Sequence, residues 1–399
     1  MRPNAAQPKD FAPGCGKSTI HMSDSTISNA PTPTPLAHLT QTALRPPRLV
    51  ERYGVQTPEA FEPMPREIAA LARSAAIYGK GWLRRIAVRG EDRFRWLSGM
   101  VTNTVNDLGR QNGAINFALN AQGRILGDLC VWREGDELTL EIAANQVEKL
   151  LSHFEHFIIM DDVELVRLGE EPGAEETALG LAGPEATAVL ERMGLKGPEE
   201  PMTSFRREWN GRNLLIERSY GTSVPRYTIW TPVARLEKLW YSFSTAGATP
   251  VGASAVEAFR VAEGIPAYGI DIAERDLPQE TSQMHTLHFN KGCYLGQEIV
   301  ERIRSRGNVH RHLRQLELDG PIPTVGTELT FGPIEDQPDG EGKPAGSITS
   351  ATELQLEGGT RRFALGMIRA EAEARHKPLR YSTGAATGNA WILDGPPIF

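Results

Sequence analysis

Lys291-Gly292-Cys293-Tyr294-Leu295-Gly296-Gln297-Glu298 puts a thiol, two glycines, an amine, a phenol, an amide and a carboxylate side by side, directly ahead of an apolar periodic segment. Such a stretch makes a poor core strand and a good site. Leu295, Ile299, Val300 and Ile303 recur near helical spacing, with Glu298, Glu301, Arg302 and Ser305 on the other face. An amphipathic helix is therefore predicted to run to about Arg304, with Gly307 as its stop. A helix starting there leaves unpaired backbone N–H groups beside Cys293, and the positive end of its dipole favours an anion. Cysteine reacts as a thiolate, and these surroundings, with Lys291 two residues away, favour a pKa below the free value of roughly 8.5. Cys293 is the candidate reactive thiol. The plain alternative is a small, inert, buried hydrophobe.

Downstream of this stretch the texture changes to short apolar runs with frequent glycine, at 313–318, 327–331, 345–350, 363–368 and 390–393. That pattern predicts a small antiparallel barrel over 311–399, with the boundary near 308–314. Arg302, Arg304, Arg306, His310, Arg311, His312 and Arg314 form a basic run at the junction. It suits an anion such as a polyglutamylated cofactor, or RNA, but interleaved Glu298 and Glu301 also fit a solvated helix face and connector. Upstream, 268–290 reads as a long irregular stretch of the kind that carries function, and 253–263 as a helix ended by Gly264-Ile265-Pro266.

Further toward the N-terminus, helices are predicted over 61–77, 92–97 and 145–157. Strands are predicted over 82–88, 116–119, 124–132, 138–142 and 163–168. After a Glu- and Pro-rich gap at 169–176, strands at 179–181, 214–217 and 227–230 and helices at 185–193 and 233–243 repeat a similar order. The mixing in short units predicts an α+β fold, with two lobes over 49–310, rather than a doubly wound sheet. Within the first lobe, Gly123-Arg124-Ile125-Leu126-Gly127-Asp128 sets one carboxylate in an apolar strand. Asp128 is a candidate for a raised pKa or a held cation; an edge aspartate facing water is the alternative.

Composition narrows the function classes. The chain has 399 residues, 40% hydrophobic and 23% charged, which is enough for two or three domains. A net charge of −7 and a pI near 5.8 argue against nucleic acid or an anionic membrane as the main partner. Cys15, Cys130 and Cys293 are far apart and odd in number, which suggests neither a disulfide framework nor a self-contained metal site. The pairs His153/His156 and His285/His288 lack a third ligand pattern, so no metal is assigned. Residues 1–48, centred on Pro31-Thr32-Pro33-Thr34-Pro35, read as a disordered extension. Inside it, Gly14-Cys15-Gly16-Lys17-Ser18-Thr19 imitates the end of a P-loop, but Phe11 stands where the pattern requires glycine and no apolar strand precedes it. Translation starts at Met1 or at Met22. A reducing cytoplasmic setting fits the cysteine usage; the Ser- and Thr-rich, acid-poor character of the N-terminus leaves the mitochondrial matrix as the alternative.

Several stretches together resemble one family. The Lys291–Glu298 stretch looks like the signature of the YgfZ-type folate-binding proteins, relatives of the glycine-cleavage aminomethyltransferases that assist iron–sulfur cluster assembly. Supporting segments are 97–108, 121–129, 157–165, 259–272 and Leu277-Pro278-Gln279-Glu280, so the likeness spans roughly Tyr78 to the C-terminus. The resemblance implies a cloverleaf of two α+β lobes and a C-terminal barrel around a central hole that takes tetrahydrofolate. It further implies a part in assembly or repair of [4Fe-4S] clusters, with iron–sulfur enzymes or cluster-assembly proteins as partners. Carried onto this sequence, Cys293 is the active thiol, and Lys291, Tyr294, Gln297 and Glu298 are its neighbours. Arg226 and Arg260 are the anion partners for folate.

Two departures from the aminomethyltransferases stand out. Their paired acids reduce here to Gly127-Asp128, and their glutamate-bearing YTGE segment is replaced by Tyr220-Gly221-Thr222-Ser223. An accessory iron–sulfur factor working through Cys293 is therefore expected over an active aminomethyltransferase. A folate-dependent one-carbon transferase using Asp128, and a non-catalytic scaffold, are the alternatives.

Overall fold

The computed structural model describes residues 31–221, 223–307, 309–331, 342–356, 358–384 and 386–397. The first lobe is built on the meander Asn112–Leu119, Ile125–Glu134 and Glu137–Ala143. Alternation along the second strand sends Leu129 and Val131 toward helix Ala144–His156, whose Val147, Leu150, Leu151 and Phe154 fill the space between them. Asp128, Cys130 and Trp132 fall on alternate positions to these, and that is the face from which a site is built.

A second set, Glu176–Ala182, Thr203–Trp209, Arg212–Arg218 and Arg226–Pro232, packs Leu179, Leu181, Leu214, Ile216 and Ile229 beneath helices Ala186–Arg192 and Leu236–Thr245. The pairing of Thr203 with Asn112 joins the two sets into one sheet. Its order is Thr249–Pro250, Ala76–Gly79, Glu176–Ala182, Arg226–Pro232, Arg212–Arg218, Thr203–Trp209, Asn112–Leu119, Ile125–Glu134, Glu137–Ala143, Leu83–Arg89, Glu164–Leu168. At the C-terminus, Arg311–Leu318, Gly359–Arg369, Lys343–Leu356, Glu328–Phe331, Leu379–Ser382 and Thr387–Ile392 close into an antiparallel barrel, sealed where Leu316 meets Ile392. Helices Met64–Arg73 and Ala253–Ala262 bind the barrel to the sheet through Phe259, Leu354 and Phe363. The α+β class and the C-terminal barrel agree with the sequence reading.

Two expectations need correction, and two strands carry no sequence prediction. The helix predicted over 61–77 stops at Arg73, and Ala76–Gly79 is a strand paired with Glu176–Ala182. Its four residues are all buried between sheet neighbours, and this outweighs the helix propensity of an alanine-rich run. The strands Thr203–Trp209 and Leu379–Ser382 went unread because their charged alternate residues mask the apolar ones. The disordered extension expected through residue 48 is ordered in part. Strand Thr32–Pro33 pairs with Val55 and Gln56, and Thr34 caps helix Pro35–Gln41, whose Leu36 and Ala37 are buried. Residues 1–30, with the P-loop imitation, Cys15 and Met22, lie outside the described residues.

Candidate functional site

Where the cavity faces of the two strand sets meet, two adjoining chambers open, of about 320 and 500 Å³. Lys80, Ile115, Cys130, Glu141, Ser219 and Tyr220 line both. Helix Ala253–Ala262 and the turn Ile265-Pro266-Ala267 close the first chamber, and Leu313, Gln315 and Leu365 of the barrel bound the second. Ligand sites favour such concave seams between packed units.

Asp128 lines the first chamber. Gln146, in the opening turn of its helix, donates Nε2–H to Asp128 Oδ1 at 2.7 Å and accepts the Asp128 backbone N–H on Oε1 at 3.0 Å. Gly127 makes this approach possible, since a Cβ there would lie 2.6 Å from Gln146 Oε1. Burial raises the Asp128 pKa above the ordinary carboxylate value, and the Gln146 hydrogen bond opposes the rise. At Asp128 the strand pairs with Phe117 on one side, pairing on the other side begins at Cys130, and the carboxylate lines the chamber, which sets aside the water-facing alternative.

Arg226 and Arg260 also line this chamber, but each already has carboxylate partners. Arg226 contacts Glu263 in a close ion pair, and burial lowers its guanidinium pKa. Arg260 pairs with Glu257 at 2.8 Å and with Asp271 at 2.7 Å. Their role as open anion partners is not what the geometry offers. Buried pairs of this kind fix structure and charge balance.

The thiol stretch lies apart from the chamber walls. The helix runs Gln297–Arg306, with Gly296 as its N-cap in the left-handed region at φ 80° and Gly307 as its stop, so Cys293 precedes the first helical residue by four positions. Gln297 Oε1 accepts the Tyr294 N–H at 3.3 Å and the Gln297 N–H donates to the Tyr294 carbonyl at 3.1 Å, a closed local turn. Tyr294 is buried with Phe117, Leu119, Ile125 and Val300, and its phenol is pushed up to about 12 by burial and then by Glu301. Glu298 is exposed in the first helical turn. Cys293 is exposed.

Lys291 turns away from the thiol. Its Nζ donates to the carbonyls of Val101 at 2.7 Å and Asn103 at 2.6 Å, and burial lowers its pKa to about 7. Asn103 in turn donates Nδ2–H to the His285 carbonyl at 2.9 Å, and the His285 ring stacks on Tyr220 at 4.3 Å in the wall of the second chamber. The motif loop and the cavity are thus tied by one chain of contacts. The other histidine pair packs on Phe157, at 5.2 Å from each ring.

Sequence reasoning missed a second acidic centre. Glu141 stands opposite Cys130 in register, and Glu217, 1% exposed, lies against Glu141 and accepts the Trp230 Nε1–H at 3.0 Å. Burial and then the charge of Glu141 push the Glu217 carboxyl well above its ordinary pKa, and burial pushes the Cys130 thiol up likewise. Lys80 donates to Thr228 Oγ1 at 2.6 Å nearby. The signal was present: Glu141 sits between Leu140 and Ile142, an acid in an apolar strand like Asp128.

A mixed sheet with covering helices, a closed C-terminal barrel and a cavity at their seam define an aminomethyltransferase-like fold. The crystal structure of the glycine cleavage system aminomethyltransferase T from Bartonella henselae superposes with a TM-score of 0.78 at 20% identity, covering 92% of this chain and 97% of that one. An aminomethyltransferase of Rubrobacter xylanophilus is 26% identical over 310 residues, 76% of this chain and 79% of the relative. One from Thermus thermophilus is 25% identical over 309 residues, 76% and 82% of the two chains. The profile of the GCVT N-terminal domain matches residues 42–291, and the chain belongs to that family. None of its helices among the described residues is long and apolar enough to cross a membrane.

Proposed function

We propose that the chain is a folate-dependent one-carbon transferase of the aminomethyltransferase type, taking tetrahydrofolate as a substrate in the cavity. The observation that carries this reading is Asp128, a chamber-lining carboxylate whose pKa is raised by burial and whose orientation is set by Gln146. A carboxylate so tuned suits orienting a reacting amine or taking its proton, provided that the amine lies within hydrogen-bond reach. The relatives named as aminomethyltransferases support the same class. The cavity walls suit the ring system better than the glutamate tail, because Arg226 and Arg260 are already paired. Assays of one-carbon transfer with aminomethyl and methylamine donors test the proposal: turnover should be lost in Asp128→Asn. Turnover that survives this substitution overturns the role of Asp128.

A second reading, favoured by the exposure of Cys293 outside the chambers, is an accessory factor for assembly or repair of [4Fe-4S] clusters. An exposed thiol on a fixed loop suits contact with a partner protein. A [4Fe-4S] cluster takes four thiolates, so Cys293 would share it with ligands from that partner or a small thiol. In cells lacking the gene, Cys293→Ser should fail to restore [4Fe-4S] enzyme activity; full rescue removes the thiol from the mechanism. If calorimetry detects no folate binding and Cys293 alkylates at the rate of a free cysteine, a non-catalytic scaffold is the better description.

A further inference from the structure

Among the described residues, Lys80 is the one lysine or arginine of the chamber walls that has no carboxylate partner. Arg52 and Arg260 hold Glu257, Arg226 holds Glu263, and Arg314 holds Glu373 at 3.4 Å. Lys80 is half-buried on the wall that both chambers share, and its Nζ donates to a neutral group, Thr228 Oγ1, at 2.6 Å. Thr228 is 1% exposed, and its hydroxyl lies 3.0 Å from Ser219 Oγ, which belongs to the same shared wall.

The direction of this chain follows from its first member. An ammonium can only donate, so the Thr228 hydroxyl accepts from Lys80 and is polarised to donate onward to Ser219. Two of the three Lys80 hydrogens and the Ser219 hydroxyl hydrogen are then left without an acceptor among the described residues. Both donor atoms lie within 3.0 Å of one oxygen, so they converge on a single ligand group. A charged donor and a neutral one, with no acceptor between them, fit a carboxylate.

The position of the pair says which ligand carries that carboxylate. A transfer reaction brings two ligands together, and adjoining chambers of about 320 and 500 Å³ give each a place. The wall common to both is where their reacting ends meet. Folate carries its carboxylates at the far end from its reacting nitrogens, beyond the aminobenzoyl ring. A small amino acid carries its carboxylate two bonds from its nitrogen.

We propose that Lys80 and Ser219 hold the carboxylate of the one-carbon donor, and that this donor is a free N-methyl amino acid rather than an arm tethered to a carrier protein. This rests on the transferase reading above. The methyl carbon leaves the donor nitrogen for N5 of tetrahydrofolate, and the N5 proton goes to the departing amine, so the step needs no oxidant. Asp128, in the first chamber with Lys80, is the carboxylate on hand for that proton.

Calorimetry on the full chain loaded with 5-formyltetrahydrofolate tests the assignment, with sarcosine and N,N-dimethylglycine as probes and their primary amides as neutral counterparts. The wild type should bind each acid about tenfold or more tighter than its amide, the scale of one charge-assisted hydrogen bond. Lys80→Met should bring that ratio close to one, whereas Lys80→Arg, which keeps the charge, should retain most of it. Ser219→Ala should lower the ratio by about threefold. All three variants should bind 5-formyltetrahydrofolate as the wild type does. A ratio near one in the wild type, or one that survives Lys80→Met, overturns the proposal, and Ser219→Ala decides if Lys80→Met does not fold. If Lys80→Met weakens 5-formyltetrahydrofolate but not 5-formyltetrahydropteroate, which lacks the glutamate, the carboxylate held is that of folate; the donor assignment then falls and the folate reading stands. No binding of 5-formyltetrahydrofolate to the wild type overturns both.

Discussion

Gln146 grips Asp128 from two sides, donating to its carboxylate at 2.7 Å and accepting its backbone N–H at 3.0 Å. The carboxylate is therefore fixed to the strand that carries it, and its charged form is favoured against the burial that raises its pKa. Replacing Gln146 by Leu removes the opposing influence, so the Asp128 pKa should rise further. If Asp128 acts as a base, the acid limb of the kcat/KM profile moves to higher pH. An unmoved limb would separate Asp128 from the titration that governs turnover.

Lys291 is the next place where burial has a measurable cost. Its pKa falls from 10.5 to about 7 on folding, through desolvation. Between those values the unfolded chain holds the proton more tightly than the folded chain, so stability contributed at this site rises with pH across that window. Below pH 7 the full penalty of a buried ammonium applies. Lys291→Met removes the titration but leaves the carbonyls of Val101 and Asn103 without their donor. The stability of the wild type relative to the variant should therefore grow as pH increases from 7 to 10.5 in urea unfolding series. A difference that is flat or falls with pH would show that the amine is solvated.

Much of the architecture was legible because single periodicities decided it. Leu129 and Val131 against Val147, Leu150 and Phe154 gave a strand and its covering helix, and the glycine-punctuated runs after residue 310 gave the barrel. The helix after Gly296 was legible for the same reason. What the periodicity does not carry is pairing across distance. Nothing local places Glu217 against Glu141, 76 positions earlier in the chain (217 − 141). Nor does proximity in sequence show that the Lys291 amine reaches Val101 and Asn103 rather than Cys293. Arg226 and Arg260 looked open for the same reason, since Glu263 and Asp271 reach them only in the folded chain.

Glu217 yields a prediction of opposite sign to Lys291. Its carboxyl is raised well above the ordinary value by burial, then by Glu141. Above the unfolded pKa of about 4.3 the unfolded chain gives up this proton while the folded chain keeps it, so the site's contribution to stability falls as pH rises toward the folded value. Glu217→Gln mimics the neutral acid and retains an acceptor for Trp230. The variant should gain on the wild type as pH increases from 5 to 8 in thermal unfolding. Equal pH slopes for the two proteins would mean that Glu217 is ionised in the fold.

The two described thiols provide the last test, because their environments differ while their chemistry does not. Cys293 is exposed, whereas Cys130 lines the cavity wall with its pKa raised well above 9.0 by burial. Thiolate fraction and access both set alkylation rate, so in a Cys15→Ser background one thiol should label fast and the second only on unfolding. Cys293→Ser should abolish the fast phase. The loop that presents Cys293 depends on Gly296, at φ 80°, where a Cβ would meet the Asn120 carbonyl at 2.6 Å. Gly296→Ala should therefore cost about 1–3 kcal/mol of stability and alter the Cys293 labelling rate, because the turn that closes Tyr294 onto Gln297 must shift. If the labelling rate is unchanged while stability falls, the loop holds the thiol independently of that turn, and the strain is absorbed at Asn120 instead.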